Sequence, residues 1–137
     1  MSDGDFLDSN VLLYTFDEVD LRKRTIAERI VQDALDYDTA VISFQVVQEV
    51  LSVATRRIDF AGDVRLLLDA VLMPLCDVMP TATLYALGLD LYNRYRYSFY
   101  DSLIVAAALS SGCTRLYTED LQAGQRIEQL TIVNPFA

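Results

Sequence analysis

Histidine is missing from all 137 residues. That absence closes Ser-His-Asp and Cys-His catalysis, HExxH zinc sites and every use of imidazole as a base. Lysine is nearly missing too: Lys23, in DLRKR, is the only one, and no GxxxxG precedes it, so the chain carries no Walker phosphate loop. Glycine and proline are scarce, at five and three residues, while 53% of the chain is hydrophobic; this composition excludes a disordered or low-complexity chain. No apolar run approaches the roughly 18 residues of a membrane span, and no Lys/Arg-led apolar stretch opens the sequence. A cytoplasmic protein with no membrane attachment is therefore expected. The two cysteines, Cys76 and Cys113, lie far apart in apolar surroundings without CxxC spacing, so reduced core thiols are expected rather than a disulfide, a zinc site or a nucleophile.

What is plentiful is negative charge. Twenty acids against eleven bases give a formal net charge of −9 and a pI near 4.3. Taken alone, this opposes a nucleic-acid partner, because phosphate binding draws its affinity from positive charge. The objection weakens where acids converge on divalent cations, since a bound metal reverses the sign of the local field.

The length fits one domain over residues 1–137, with a core from about 5 to 136. Short apolar runs, DFLD, TAVIS, CDVMP, TRLYT and LTIVN, read as strands bounded by polar residues. Between them helical periodicity runs from Leu21 to Tyr37, Phe44 to Ile58, Ala61 to Leu72, Thr83 to Tyr95 and Tyr100 to Ser111. This alternation predicts an α/β fold with a mostly parallel sheet of four to five short strands and helices on both faces.

Ligand chemistry in such sheets gathers at the carboxyl ends of strands, where strand order reverses. Asp8 ends the first strand, and Asp120 follows RLYTE after the fourth. Asp101, in SFYDSLIVAAAL, stands in the first turn of a nearly all-apolar helix, with Ser98 as its cap; it complements the helix dipole, faces a cleft, or both. Glu49 lies on one polar stripe with Gln45, Ser52 and Arg56, opposite Val46, Val50 and Val53, which fits a solvated face as well as a site. Asp8 too has a plainer reading, since Asp, Ser and Asn cap the helix that follows. Asp69 with Arg65 and Asp90 with Arg94 have the spacing of exposed helix pairs, and Asp5 is expected at an edge or rim. Asp3, Asp17, Glu18, Asp20, Asp59 and Asp63 fall in polar loops or helix starts.

FLDSNVLLY, QEVLSVATR, SFYDSLIVAAALSSGC and RLYTEDLQAGQ before a terminal TIVNPF together resemble a PIN domain of the VapC toxin type, over nearly the whole chain. The resemblance implies an acidic quartet of Asp8, Glu49, Asp101 and Asp120, with Ser9, Asn10 and Thr118 holding the carboxylates through hydrogen bonds. Glu119 competes for the fourth place, but Asp120 matches the TxD spacing. It also implies a Mg²⁺- or Mn²⁺-dependent endoribonuclease, the toxin of a toxin–antitoxin pair, that hydrolyses RNA with metal-activated water. Hard oxygen ligands suit these ions, and no histidine is needed. The implied partners are RNA, a small antitoxin and a second copy in a homodimer. Competing readings are a metal-dependent phosphatase or DNA-directed nuclease on the same scaffold and a PIN fold kept as a non-catalytic binding module.

Ten of the eleven bases are Arg, which forks onto phosphate and stacks on bases. LYNRYRYSFY interleaves Arg94 and Arg96 with Tyr92, Tyr95, Tyr97, Phe99 and Tyr100; it either holds single-stranded RNA or packs a helix corner or dimer face around Leu91 and Tyr95. Arg56 and Arg57, beyond Glu49, are further candidates for RNA contact.

Overall fold

A computed structural model of the protein describes residues 4–57 and 62–137. The expected helix ends at Ile58 and Ala61, and the acids Asp3 and Asp59, lie outside the described residues.

Strand β1 (Asp5–Leu7) is buried along its whole length. Successive strand residues point to opposite faces, so this burial means that both faces of the sheet are covered there. A short helix, α1 (Ser9–Tyr14), follows directly, then α2 (Leu21–Tyr37), with Asp20 accepting the Lys23 amide at its start. Strand β2 (Ala40–Ser43) feeds α3 (Phe44–Arg56). A helical stretch then runs through α4 (Val64–Leu67), a π-helical turn (Leu68–Leu72) and α5 (Met73–Leu75) into β3 (Cys76–Val78). The π turn departs from the single helix expected here. Pro74 offers no N–H and its ring crowds the carbonyl four residues earlier, so the backbone widens just ahead of it. Helices α6 (Ala82–Tyr95) and α7 (Phe99–Ser110) begin at the hydroxyl caps Thr81 and Ser98. Strands β4 (Arg115–Tyr117), β5 (Arg126–Ile127) and β6 (Leu130–Val133) close the chain.

The strand order is β3-β2-β1-β4-β6-β5. Every neighbouring pair is parallel except β5 with β6. This is the expected α/β arrangement with one strand more than the sequence pattern announced. The two-residue β5 is too short to carry a periodic signal and exists only as the return arm of a hairpin onto β6. Phe6, Ile42, Leu116 and Ile132, one from each of four adjoining strands, are fully or almost fully buried, each stabilising by roughly 1.5–3 kcal/mol relative to exposure. Helix α7 buries Ser102 through Ala108 without a break, so it is enclosed nearly all round, as its composition predicts.

Three expectations need correction. Asp5 is not at an edge: β1 lies between β2 and β4, and Asp5 is buried with both carboxylate oxygens taken by Arg115, at 2.7 and 3.1 Å. Arg65 does pair with Asp69 at 2.8 Å, but Arg94 donates to the Tyr95 hydroxyl rather than meeting Asp90. Cys113 is a buried free thiol, whereas Cys76, on the edge strand β3, is only half-buried. No helix among the described residues is long and apolar enough to cross a membrane.

Candidate active site

Strand order reverses between β1 and β4, which lie side by side with Leu7 opposite Tyr117. The Asp8 amide donates to the Tyr117 carbonyl at 3.0 Å, carrying the ladder one residue past the end of β1. Asp8 therefore leaves the sheet at the crevice where open α/β sheets place their ligands. It also caps α1, its Oδ1 accepting the Ser9 amide at 2.7 Å, so the plain reading and the functional one coexist.

The other carboxylate oxygen of Asp8 accepts the Thr118 hydroxyl at 2.8 Å. Thr118, itself fully buried, sits at the hub of a small network: its Oγ1 accepts Asn10 Nδ2 and the Asp120 amide, both at 3.1 Å. Asn10 Nδ2 also reaches Asp120 Oδ2 at 3.1 Å. The last turn after β4 is thus stitched to the first turn of α1, which brings the early and late acids together across most of the chain.

Only 5% of Asp8 is exposed. Burial pushes its carboxyl above the usual range, the Thr118 and Ser9 hydrogen bonds work against that, and the charges of Asp120 and Asp101 add to the rise. Glu49, half-buried on α3, is raised in the same way, first by burial and then by the charge of Asp8, with the Ser9 hydroxyl opposing and Asp101 and Asp120 adding. Each acid of the expected quartet thus contributes to the field at Glu49. Asp101 stands in the first turn of α7, its amide donating to Ser98 Oγ at 3.1 Å as expected. Among the described residues no Arg or Lys forms an ion pair with any of the four.

The set has only hard oxygen donors, and two of them, Glu49 Oε1 and Asn10 Oδ1, are buried without a hydrogen-bond partner. That chemistry fits Mg²⁺ or Mn²⁺. Among the described residues no three acids stand close enough together to encage an ion by themselves. A six-coordinate Mg²⁺ does not require such a cage, because one or two carboxylates, waters and substrate oxygens suffice.

The structure separates Glu119 from Asp120. Glu119 turns away from the acids to accept from Lys23 Nζ at 2.9 Å and from the Tyr14 hydroxyl. Burial alone would push the Glu119 carboxyl up, but these two partners hold it below the usual range, and Lys23 is pushed up to about 12 by the same contacts. Tyr14 lies one turn beyond Asn10 on α1, a pairing the i, i+4 spacing of NVLLY could have announced.

Arg56 lines a groove of about 430 Å³ with Ser9, Leu13, Glu49, Ser52 and Val53. Val53 therefore faces the groove, and Gln45 is buried with its Nε2 donating to the Tyr100 carbonyl at 3.1 Å, so the polar stripe expected around Glu49 is only partly right. A contact across to α7 occupies the Gln45 amide, something helical periodicity cannot register. Arg57 stacks over the Phe16 ring at 5.6 Å. Arg94 and Arg96 are exposed at the far end of α6, where Arg96 lines a separate hollow with Tyr92 and Asn93. Tyr95 stacks on Tyr97 at 5.8 Å and Leu91 is fully buried, so this part of the aromatic segment packs the helix corner.

A search of the curated proteins finds no significant match. Among solved structures the chain is similar to a toxin–antitoxin complex from Klebsiella pneumoniae (TM-score 0.73, 18% identity, covering 96% of this chain and 98% of that one). It is also similar to VapC20 from Mycobacterium tuberculosis, described as a sarcin–ricin loop cleaving toxin (TM-score 0.64, 20% identity, covering 85% and 90%). VapBC-1 from nontypeable Haemophilus influenzae aligns over 97% of this chain and 98% of its own, with TM-score 0.65 and 20% identity. At these identities the likeness is one of fold. The family profile described as PIN domain matches residues 6–126, which takes in Asp8, Glu49, Asp101 and Asp120. A parallel sheet with Asp8 and Asp120 at its switch point and a profile match over most of the sequence lead to one conclusion: this chain belongs to the PIN domain family.

Proposed function

We propose that the protein is a Mg²⁺- or Mn²⁺-dependent endoribonuclease of the VapC toxin type, partnered by a small antitoxin and acting as a homodimer. The observation that carries this reading is Asp8: a buried carboxylate, raised by burial and by neighbouring acids, with hydrogen bonds but no Lys or Arg paired to it among the described residues. An unpaired buried charge is costly, and a cation-binding role accounts for why it is kept.

On this reading Asp8 and Asp101 hold most of the metal, with Glu49 and Asp120 completing the acidic wall. A divalent ion held by these carboxylates would supply Lewis-acid activation of a water for in-line attack on phosphorus and charge neutralisation in the transition state. Thr118 and Ser9 keep the Asp8 carboxylate in one orientation, and Asn10 does the same for Asp120. Arg56, at the end of the groove that Glu49 lines, draws the RNA backbone towards the acids and offsets locally the unfavourable net charge. Arg94 and Arg96, exposed at the end of α6 just before the Ser98 cap of α7, serve the flanking RNA.

The similarity to toxin–antitoxin structures supports a partner whose basic segment covers the acids, since an arginine presented to this pocket would satisfy its charge and exclude metal. The test is cleavage of structured RNAs, including a sarcin–ricin-type loop, by wild type and Asp8→Asn with Mg²⁺ or Mn²⁺. Cleavage by wild type alone, abolished by chelator, is expected. Equal cleavage by both proteins, cleavage that ignores chelator, or a preference for DNA would end the proposal.

A further inference from the structure

Asp120 has a weak hold on its own position. It is exposed, it is repelled by Asp8 and Glu49, and its restraints are a 3.1 Å bond from Asn10 and its own amide on Thr118 Oγ1. Both of these charges act to drive the Asp120 carboxylate away from the pocket. The adjacent residue is held far more firmly. Glu119 Oε2 meets Lys23 Nζ at 2.9 Å, Glu119 Oε1 takes the Tyr14 hydroxyl, and Lys23 Nζ lies 3.3 Å from that same hydroxyl. The three groups come from three separate elements, the β4 turn, α1 and α2.

Aromatic rings enclose the cluster. Lys23 Nζ lies 5.0 Å from the Tyr14 ring centroid and 5.8 Å from that of Phe136, and the two rings meet edge to face at 4.9 Å. Arg22 donates to the Phe136 carbonyl, tying the end of the chain to the start of α2. An isolated surface ion pair contributes little. A pair braced by a third hydrogen-bonding group and two rings, with side-chain exposures of only 27% and 22%, is a rigid point in the structure. One face of α1 thus grips the turn twice, Asn10 at Thr118 and Asp120, Tyr14 at Glu119.

We propose that Glu119, gripped by Lys23 and Tyr14, is a positioning residue: it anchors the Thr118–Asp120 turn against the repulsion of the acidic pocket and so aims Asp120 into it. The inference rests on the reading of the acids given above. It assigns the sole lysine of the chain to supporting the site from behind rather than to contacting RNA.

Metal-free and Mn²⁺-loaded protein, as wild type, Glu119→Gln, Lys23→Met and Lys23→Arg, tests it by amide exchange and by cleavage kinetics. In Glu119→Gln and Lys23→Met, exchange at residues 118–121 is expected to quicken about tenfold while the central strands stay protected, and kcat to fall by about 10- to 100-fold with KM for RNA within about twofold. Lys23→Arg keeps the charge and is expected to recover most of both. Wild-type exchange and kcat in the two disruptive variants would overturn the proposal. So would exchange that quickens evenly along the chain, the mark of a merely stabilising contact. If wild type itself fails to cleave RNA, the reading of the acids fails, and the exchange measurement alone still upholds or overturns the tether.

Discussion

Replacing Asp8 by asparagine should strengthen the metal-free fold while destroying activity. Asp8 is 5% exposed and accepts two hydrogen bonds, from the Ser9 amide and the Thr118 hydroxyl. An asparagine of the same shape has one acceptor oxygen, so it keeps one of these bonds and leaves the other buried donor unpaired, a cost of about 1–3 kcal/mol. Against this stands the removal of a charge whose burial costs on the order of several kcal/mol and which faces Asp120 and Asp101. The balance favours the variant by about 1 kcal/mol, or roughly 4 °C in Tm for a domain of this size. The pH dependence identifies the cause. A carboxyl raised in the folded state binds its proton more tightly there than in the unfolded chain, where its value is near 3.8. Below that value Asp8 costs the fold nothing; the penalty grows as pH climbs to the raised folded value and persists in full above it. The advantage of the variant should therefore be largest near pH 7.5 and shrink on acidification. Added Mn²⁺ should reverse the order, stabilising wild type by about 2.7 kcal/mol at a hundred times its Kd and the variant far less. Thermal unfolding followed by circular dichroism, in chelator and then in Mn²⁺ across this pH range, reads all of these effects. A variant that melts several degrees below wild type in chelator at neutral pH, or two proteins equally stabilised by Mn²⁺, would refute the reasoning.

Thr118→Val removes the donor to Asp8 and the acceptor for Asn10 and the Asp120 amide; a loss of about 2–4 kcal/mol in denaturant unfolding is expected, with weaker Mn²⁺ binding in calorimetry. Arg115→Gln leaves the buried Asp5 carboxylate without its forked partner at the other end of β1. It should cost about 1–3 kcal/mol in the same assay and leave RNA cleavage by the folded protein at the wild-type rate. Arg56→Ala should raise KM for RNA several-fold and flatten its salt dependence by about one unit of log–log slope, with kcat little changed, read from cleavage at several ionic strengths.

Much of the proposed site was legible in the linear order, because each proposed acid occupies a place that local rules mark. Asp8 and Asp120 follow strands, and Asp101 follows a serine cap at the head of an apolar helix. Glu49 was the weakest case, because a polar stripe on a helix has the same pattern whether it meets water or other acids. The difference lies in α1 packing against α3, which puts Ser9 and Leu13 opposite Glu49 and makes a groove of what would otherwise be a surface. Asp5 was misplaced for a related reason: strand periodicity gives the face of a residue but not its neighbours, and only the pairing of β1 with β4 brings Arg115 to it.

The sequence by itself determined which classes of chemistry are closed to this chain. A chain without histidine, whose one lysine lies outside any Walker phosphate loop, is closed to imidazole and Walker-lysine chemistry, and its alternation of short apolar runs with amphipathic stretches already commits it to a parallel α/β sheet. The tertiary structure alone decided which acids share a field and which are neutralised. Glu119 and Asp120 are neighbours of the same type, yet one turns to Lys23 and Tyr14 while the other faces Asp8. Their divergence follows from helix α1 crossing the end of β4, and no local preference encodes where a helix from the start of the chain will meet a turn near its end.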